Sequence, residues 1–141
     1  MKLTFLENER VQQTGLTAVR LFVGFFMIYH GWEVFNQTKM NDYLQWDLFK
    51  HSSNGRLMVY GGKAAELVAG ALLFFGFFTR PASLVLIVIM SYISFFVGHG
   101  KIWYEDQHPF LFVLLGIIFL FAGGGKWSVD HYLLTKKQLN R

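Results

Sequence analysis

Glu66 stands inside an otherwise apolar run, residues 64–79, and Lys63 lies three positions before it. Residues three apart on a helix share a face, so these two side chains can pair. A carboxyl group among packed apolar helices could exchange protons, which makes Glu66 the candidate catalytic residue. The alternative for Glu66 is a structural ion pair with Lys63, and the sequence leaves both interpretations open.

Further ionisable residues are expected near Glu66 if the apolar segments cross a membrane in alternating directions. Such a cluster could bind a quinone headgroup, a metal ion or a small polar ligand. No two histidines stand three or four positions apart, which gives a metal site weak support, and the sequence offers no pairing of axial histidines for haem. The candidate ligand-binding residues are His30, Glu33, Lys63, His99 and His108.

Some of these histidines have a simpler interpretation. His30 could be a hydrogen-bonded residue of the core. His99 and His108 belong to a predicted loop and could be solvated there. The sequence alone does not separate these interpretations from a shared polar site.

Four apolar segments must position the cluster. A membrane-spanning helix needs about 20 mostly apolar residues, and the predicted spans are 16–35, 57–79, 81–98 and 109–125. The third and fourth segments lack a polar face, which favours membrane spans over the alternative of a soluble helical core. We therefore expect one domain over residues 1–141, all-α, an integral membrane antiparallel four-helix bundle. Residues 39–50 alternate apolar and charged side chains and are expected to form an interfacial helix or an ordered loop.

Small residues indicate which helix faces pack together. Gly62, Glu66 and Gly70 stand four positions apart, so Glu66 is expected to face the interior with the glycines. Arg20 and Gly24 recur at the same interval in the first segment. Arg20 is expected about one turn inside the membrane boundary, reaching phosphate headgroups, with a functional role as the alternative.

The distribution of basic residues predicts the orientation. With four spans both termini share one side, which collects eight lysines and arginines against five on the other. The positive-inside rule then places both termini in the cytoplasm and Glu66 near the extracytoplasmic side. Glu7, Glu9 and Arg10 interrupt what would be the apolar core of a signal peptide, so the first helix is expected to insert uncleaved. The net charge of +4 reflects residues flanking the spans and indicates no nucleic-acid partner.

Three stretches carry a resemblance to a known family: "RLFVGFFMIYHGW", "AAELVAGALLFFGFFTRPA" and "FAGGGKWSVDHYL". By their order and spacing the chain resembles the DoxX family of small four-helix membrane proteins over nearly its whole length. Gly124 departs from the pattern, which usually has proline there. Besides Glu66, the matching positions, for which the resemblance implies structural and packing roles, are Arg20, Gly24, Gly31, Gly70, Gly76, Arg80, Ser128 and Asp130.

The resemblance implies a multi-pass protein of a prokaryotic plasma membrane. It also implies a small subunit of a quinone-linked oxidoreductase complex, with quinone as the cofactor and Glu66 as the proton-exchanging group. Alternatives are a non-enzymatic membrane partner or assembly factor and, with least support because repeats are not evident, a small-solute carrier. The expected partners are membrane lipid and either a larger membrane complex or further copies of the chain.

Overall fold

A computed structural model of the chain describes residues 9–139. Over that range the chain forms seven α-helices and no β-strand. A 3₁₀ turn, Trp32–Phe35, continues the first helix, and a π-helical turn, Ile93–Val97, continues the fifth. The helices are α1 (Glu9–Gly31), α2 (Gln37–Leu44), α3 (Asp47–Lys50), α4 (Gly55–Phe75), α5 (Thr79–Tyr92), α6 (Gln107–Ala122) and α7 (Val129–Leu139).

Three of these helices are long and apolar enough to cross a membrane: α1 with its 3₁₀ turn, α4, and α5 with its π turn. The apolar helix α6 has 16 residues, about 24 Å at 1.5 Å per residue, and is shorter than the other three. The all-α prediction is confirmed, and three of the four predicted spans have the required length and composition.

Several predicted boundaries differ from the structure. Helix α1 begins at Glu9 rather than at residue 16, because the polar residues before the apolar segment continue the helix. Residues 39–50 form parts of two short helices instead of one, separated at Trp46, whose backbone is extended. Beyond the last predicted span, Val129–Leu139 form helix α7. Lys2, Glu7 and Arg141, which entered the predictions of orientation and targeting, lie outside the described residues.

Helices α1 and α4 run antiparallel with their backbones in close contact. A Cβ atom on Gly24 would lie 2.6 Å from the backbone nitrogen of Phe74, and one on Gly70 would lie 2.7 Å from that of Ile28. Only glycine permits this approach, which agrees with the role of small residues between membrane helices. Helix α5 packs against both α4 and α6. The main core consists of Val23, Met27, Leu73, Ala82, Leu86, Met90, Phe112, Val113 and Phe119.

The turn between α4 and α5 is closed by a glycine in the left-handed conformation. Gly76 has φ of 66°, and its amide donates to the carbonyl of Leu73 at 3.1 Å. The amide of Phe77 donates to the carbonyl of Leu72 at 2.9 Å. These two bonds form a Schellman motif, which ends α4 and reverses the chain.

Two charged side chains fasten this turn to the rest of the fold. Arg20 Nη1 donates to the carbonyls of Leu73 and Phe74 at 2.5 and 2.8 Å, at the C-terminus of α4. The carboxylate of Asp130 accepts from the first amides of α5, those of Phe78 and Thr79, both at 2.8 Å. We call Arg20, Asp130 and the Gly76 turn the α4–α5 clamp.

The clamp corrects one expectation about the first helix. Arg20 is only 1% exposed and binds backbone carbonyls, including that of Trp127 at 2.8 Å, so it does not reach the headgroups. Ser128 supports the same region because its hydroxyl donates to the carbonyl of Gly125 and accepts from the amide of His131. Arg80 lies exposed at the start of α5.

Candidate functional site

A cavity of about 390 Å³ lies among α1, α4, α5 and α6 at the end of the molecule opposite the clamp. Helices α2 and α3 pack over this end, where Met40, Phe49 and Val59 form a second buried cluster. Most of the cavity wall is apolar. The ionisable side chains that line it are His30, Tyr43, Lys63, Glu66, Tyr92 and His108.

Lys63 lies between two carboxylates. Its Nζ atom is 3.1 Å from Glu66 Oε2 and 3.0 Å from Glu33 Oε2. Glu66 is 2% exposed, and among the described residues its Oε1 atom accepts no hydrogen bond. We call Glu33, Lys63 and Glu66 the ion network. Because Oε1 of Glu66 accepts no hydrogen bond from these residues, this oxygen is left to bond with a molecule in the cavity.

Glu33 is held by further donors from α2. Lys39 Nζ lies 2.5 Å from Glu33 Oε1, and the Tyr43 hydroxyl donates to Glu33 Oε2 at 2.6 Å. Burial, and then the hydrogen bond to Glu33, raise the pKa of Tyr43, so its hydroxyl stays protonated and donates. The hydrogen bond to Glu33 raises the pKa of Lys39 and keeps its ammonium charged. Both carboxylate oxygens of Glu33 therefore accept hydrogen bonds, whereas Oε1 of Glu66 accepts none among the described residues.

Two histidines from different helices meet at the cavity. The rings of His30 on α1 and His108 on α6 have centroids 6.1 Å apart and are inclined by 65°. The predicted partner His99 does not line the cavity, and its backbone amide instead donates to Asp106 Oδ2 at 3.0 Å. Within residues 9–139, the histidines and acidic residues form no group of three that could hold a metal ion.

Two neighbouring glycines of α4 differ in what surrounds them. A Cβ atom added to either Gly61 or Gly62 would meet no atom within 4 Å. Gly61 is exposed, whereas Gly62 lines the cavity one turn before Glu66. Gly62 therefore leaves open the space beside Lys63 and Glu66, and it does not serve close helix packing there.

Two irregular turns bring their side chains to this end. Glu33 lies in the 3₁₀ turn that follows α1, which brings its carboxylate to Lys63. The π-helical turn after α5 carries Ile93 and Val97, which both line the cavity. Short π segments inside helices are frequent at functional sites.

The sequence placed Glu66, Lys63, His30, Glu33 and His108 near one another, and the structure brings all five to the cavity or the ion network. Tyr43, Lys39 and Gly62 were not predicted from the sequence to belong to this site. Lys39 and Tyr43 meet Glu33 only because α2 folds back over the end of α1, and no helical periodicity signals that contact. The intervals of four between Gly62, Glu66 and Gly70 did mark a shared face, but not which glycine borders empty space.

Comparison with known proteins gives a family match. A family model described as DoxX matches residues 15–99, a range from α1 through the π-helical turn. A protein of Haemophilus influenzae described as an uncharacterized protein is 28% identical over 138 residues, covering 91% of this chain and 97% of its own. No solved structure matches the chain. The range matched by the family model contains the whole ion network, including Lys63 and Glu66, but it ends before His108.

Proposed function

From the premise that this chain is a membrane protein that belongs to the DoxX family, we propose that it binds a quinone in the cavity beside Glu66. The observation that carries this proposal is a mostly apolar cavity bordered by an ion network whose buried Glu66 has an unused carboxylate oxygen. Its volume of about 390 Å³ falls within the range of about 300 to 1,000 Å³ common for small-molecule sites. The protein would act as a small subunit of a quinone-linked oxidoreductase complex.

The residues present fit such a group. Lys63 carries ammonium protons that can be donated to a carbonyl oxygen, and Glu66 has one oxygen free to accept from a hydroxyl or to hold a proton. His30 and His108 add two ring nitrogens each beside the same space. A bound quinone would supply electron transfer coupled to protons.

In this proposal each member of the network has one task. Glu33, held by Lys39 and Tyr43, fixes Lys63 from the side away from the cavity. Lys63 orients the polar end of the ligand, and Glu66 exchanges the proton.

The proposed location is a prokaryotic plasma membrane with both termini in the cytoplasm, and α6 is proposed as a fourth, shorter span of an antiparallel four-helix bundle.

Extraction of the purified protein tests the proposal. The protein is purified in mild detergent, extracted with organic solvent, and the extract is analysed for quinone by absorbance and mass spectrometry. We expect quinone with the wild type and at least about tenfold less with Glu66→Gln, a loss worth about 1.4 kcal/mol. Glu105→Gln, which removes an exposed carboxylate paired with Lys101, is the matched control and should retain quinone.

Two results would count against quinone binding. The first is an extract of the wild type without quinone. The second is equal quinone in wild type and Glu66→Gln. If in either case a stable membrane protein copurifies, the result favours the alternative, a non-enzymatic partner or assembly factor.

A further inference from the structure

The cavity wall reaches the outer surface of the helices between α4 and α5. Met58 and Gly62 line it from α4, one turn apart, and Val88 and Tyr92 line it from α5, also one turn apart. Val88 is 65% exposed although it borders the cavity, and Met58 is 38% exposed. Val88 is the most exposed of the large hydrophobic residues in the wall, and it marks a place where the cavity meets the surroundings.

This place lies within the membrane-crossing part of α5. Val88 is near the middle of the 19-residue helical segment Thr79–Val97. The surroundings of Val88 at that depth are therefore acyl chains and not water. All four residues flanking the gap are uncharged, so a hydrophobic molecule could pass between them without losing a hydration shell.

The α2–α3 segment forms the wall of the cavity at its other end. Tyr43, Trp46 and Phe49 line the cavity there, and Trp46 is 46% exposed. Phe49 belongs to the buried cluster that attaches this segment to α4. Helices α4 and α5 meet at the Gly76 turn, and the gap between them lies towards their other ends.

We propose that the cavity opens sideways into the bilayer between α4 and α5, so that a lipid-soluble ligand reaches Glu66 from the hydrocarbon without crossing water. This inference rests on the proposed function for the identity of the ligand, but not for the route. The network then joins two environments: Glu66 is reached from the bilayer, whereas Glu33 is bonded to Lys39, whose side chain is 49% exposed. The polar head of the ligand would then bind at the ion network, and its hydrophobic tail would stay in the gap between α4 and α5.

Carbodiimides of different solubility test the route without any natural ligand. A protonated carboxyl adds across one C=N bond of the reagent: its oxygen bonds to the central carbon and its proton passes to nitrogen. The adduct rearranges to a stable N-acylurea, or Lys63 attacks it and forms an amide while a urea leaves. Peptide mass spectrometry of the full chain in liposomes detects both products at Glu66.

We expect dicyclohexylcarbodiimide, which partitions into the bilayer, to modify Glu66 much faster than a water-soluble carbodiimide does. The exposed Glu105 should show the reverse preference. Val88→Trp should slow modification of Glu66 about tenfold by narrowing the gap. The matched control is Leu84→Trp, one turn earlier on α5, where the residue is 51% exposed and does not line the cavity.

Three results would overturn the sideways opening. They are equal rates at Glu66 with both reagents, no modification of Glu66 by either, and the same rate in the Val88→Trp and Leu84→Trp variants. Each differs from failure of the proposed function, because the quinone content of the wild type is measured separately. If the protein fails this test but retains quinone, the ligand site beside Glu66 stands and the ligand enters it from the aqueous side.

Discussion

The two ends of the molecule both bury charged side chains, but with different partners. At the α4–α5 clamp, Arg20 and Asp130 bind backbone groups at helix ends, and a Cβ atom on Gly76 would lie 2.7 Å from Arg20 Nη1. At the other end, Lys63 and Glu66 bind each other beside a cavity of about 390 Å³. Buried charges that close helix termini serve folding, whereas buried charges beside empty space have bonding capacity left for a ligand.

The largest expected effect is loss of the clamp. Arg20→Met removes three hydrogen bonds from a buried charged group and should lower the free energy of unfolding by about 3 to 5 kcal/mol. Arg20→Lys should recover little, because an ammonium lacks the planar fork that reaches carbonyls on two segments. Thermal unfolding in detergent measures both. Arg80→Met, at an exposed position, is the control and should unfold like the wild type.

A cost below about 1 kcal/mol for Arg20→Met would contradict the structural role given to the clamp. The same outcome would also remove the contrast between the two ends. A buried arginine that folding does not require would, like Glu66, have hydrogen bonds available for another partner.

The ion network should divide into a structural and a functional carboxylate. Glu33→Gln removes the negative charge and one of the two acceptor oxygens that Lys39, Tyr43 and Lys63 share, and we expect it to destabilise the protein by about 2 kcal/mol. Glu66→Gln removes one of the two charges paired with Lys63, which keeps Glu33, so its effect on unfolding should be smaller, about 1 kcal/mol or less. Melting temperatures of the two variants, measured side by side, decide the order. The reverse order would assign the structural role to Glu66.

The smallest expected effect is a dependence on alkaline pH. The pKa of Tyr43 is raised by burial and by its bond to Glu33, so the unfolded chain ionises first as the pH rises. The stabilisation is fully present below about pH 10 and is lost above it. The raised pKa of Lys39 acts in the same direction because its charged form is paired with Glu33.

Tyr43→Phe should therefore reduce the decline in melting temperature between about pH 9 and 11. Tyr104→Phe, at a residue 83% exposed, is the control and should leave the decline unchanged. Identical pH profiles for wild type and Tyr43→Phe would show that the Tyr43–Glu33 bond does not contribute.

Local features of the sequence predicted the all-α class and four spans, three of which have the required length and composition, because apolar length is a property of consecutive residues. The Lys63–Glu66 pair was predictable for the same reason, since three residues on a helix fix its geometry. Arg20 was placed wrongly because its acceptors are backbone carbonyls 53 to 107 positions away. A backbone carbonyl belongs to every residue, so no residue type signals such a contact.

The extent of the cavity also lies beyond what the sequence shows. Gly62 and Gly70 share a helix face, yet Gly70 contacts α1 and Gly62 borders empty space. The difference depends on the tertiary arrangement, since α1 lies against Gly70 whereas Gly62 faces the space among several helices. The break at Trp46 between α2 and α3 was likewise not predicted by periodicity.

The quinone content of two neighbouring glycine variants tests the central claim most directly. Gly62→Leu extends a side chain into the cavity without displacing an existing atom near its Cβ, while Gly61→Leu makes the same change on the exposed side of α4. We predict at least about tenfold less extractable quinone from Gly62→Leu, and wild-type content from Gly61→Leu. Equal quinone from the two variants would contradict a ligand site beside Glu66.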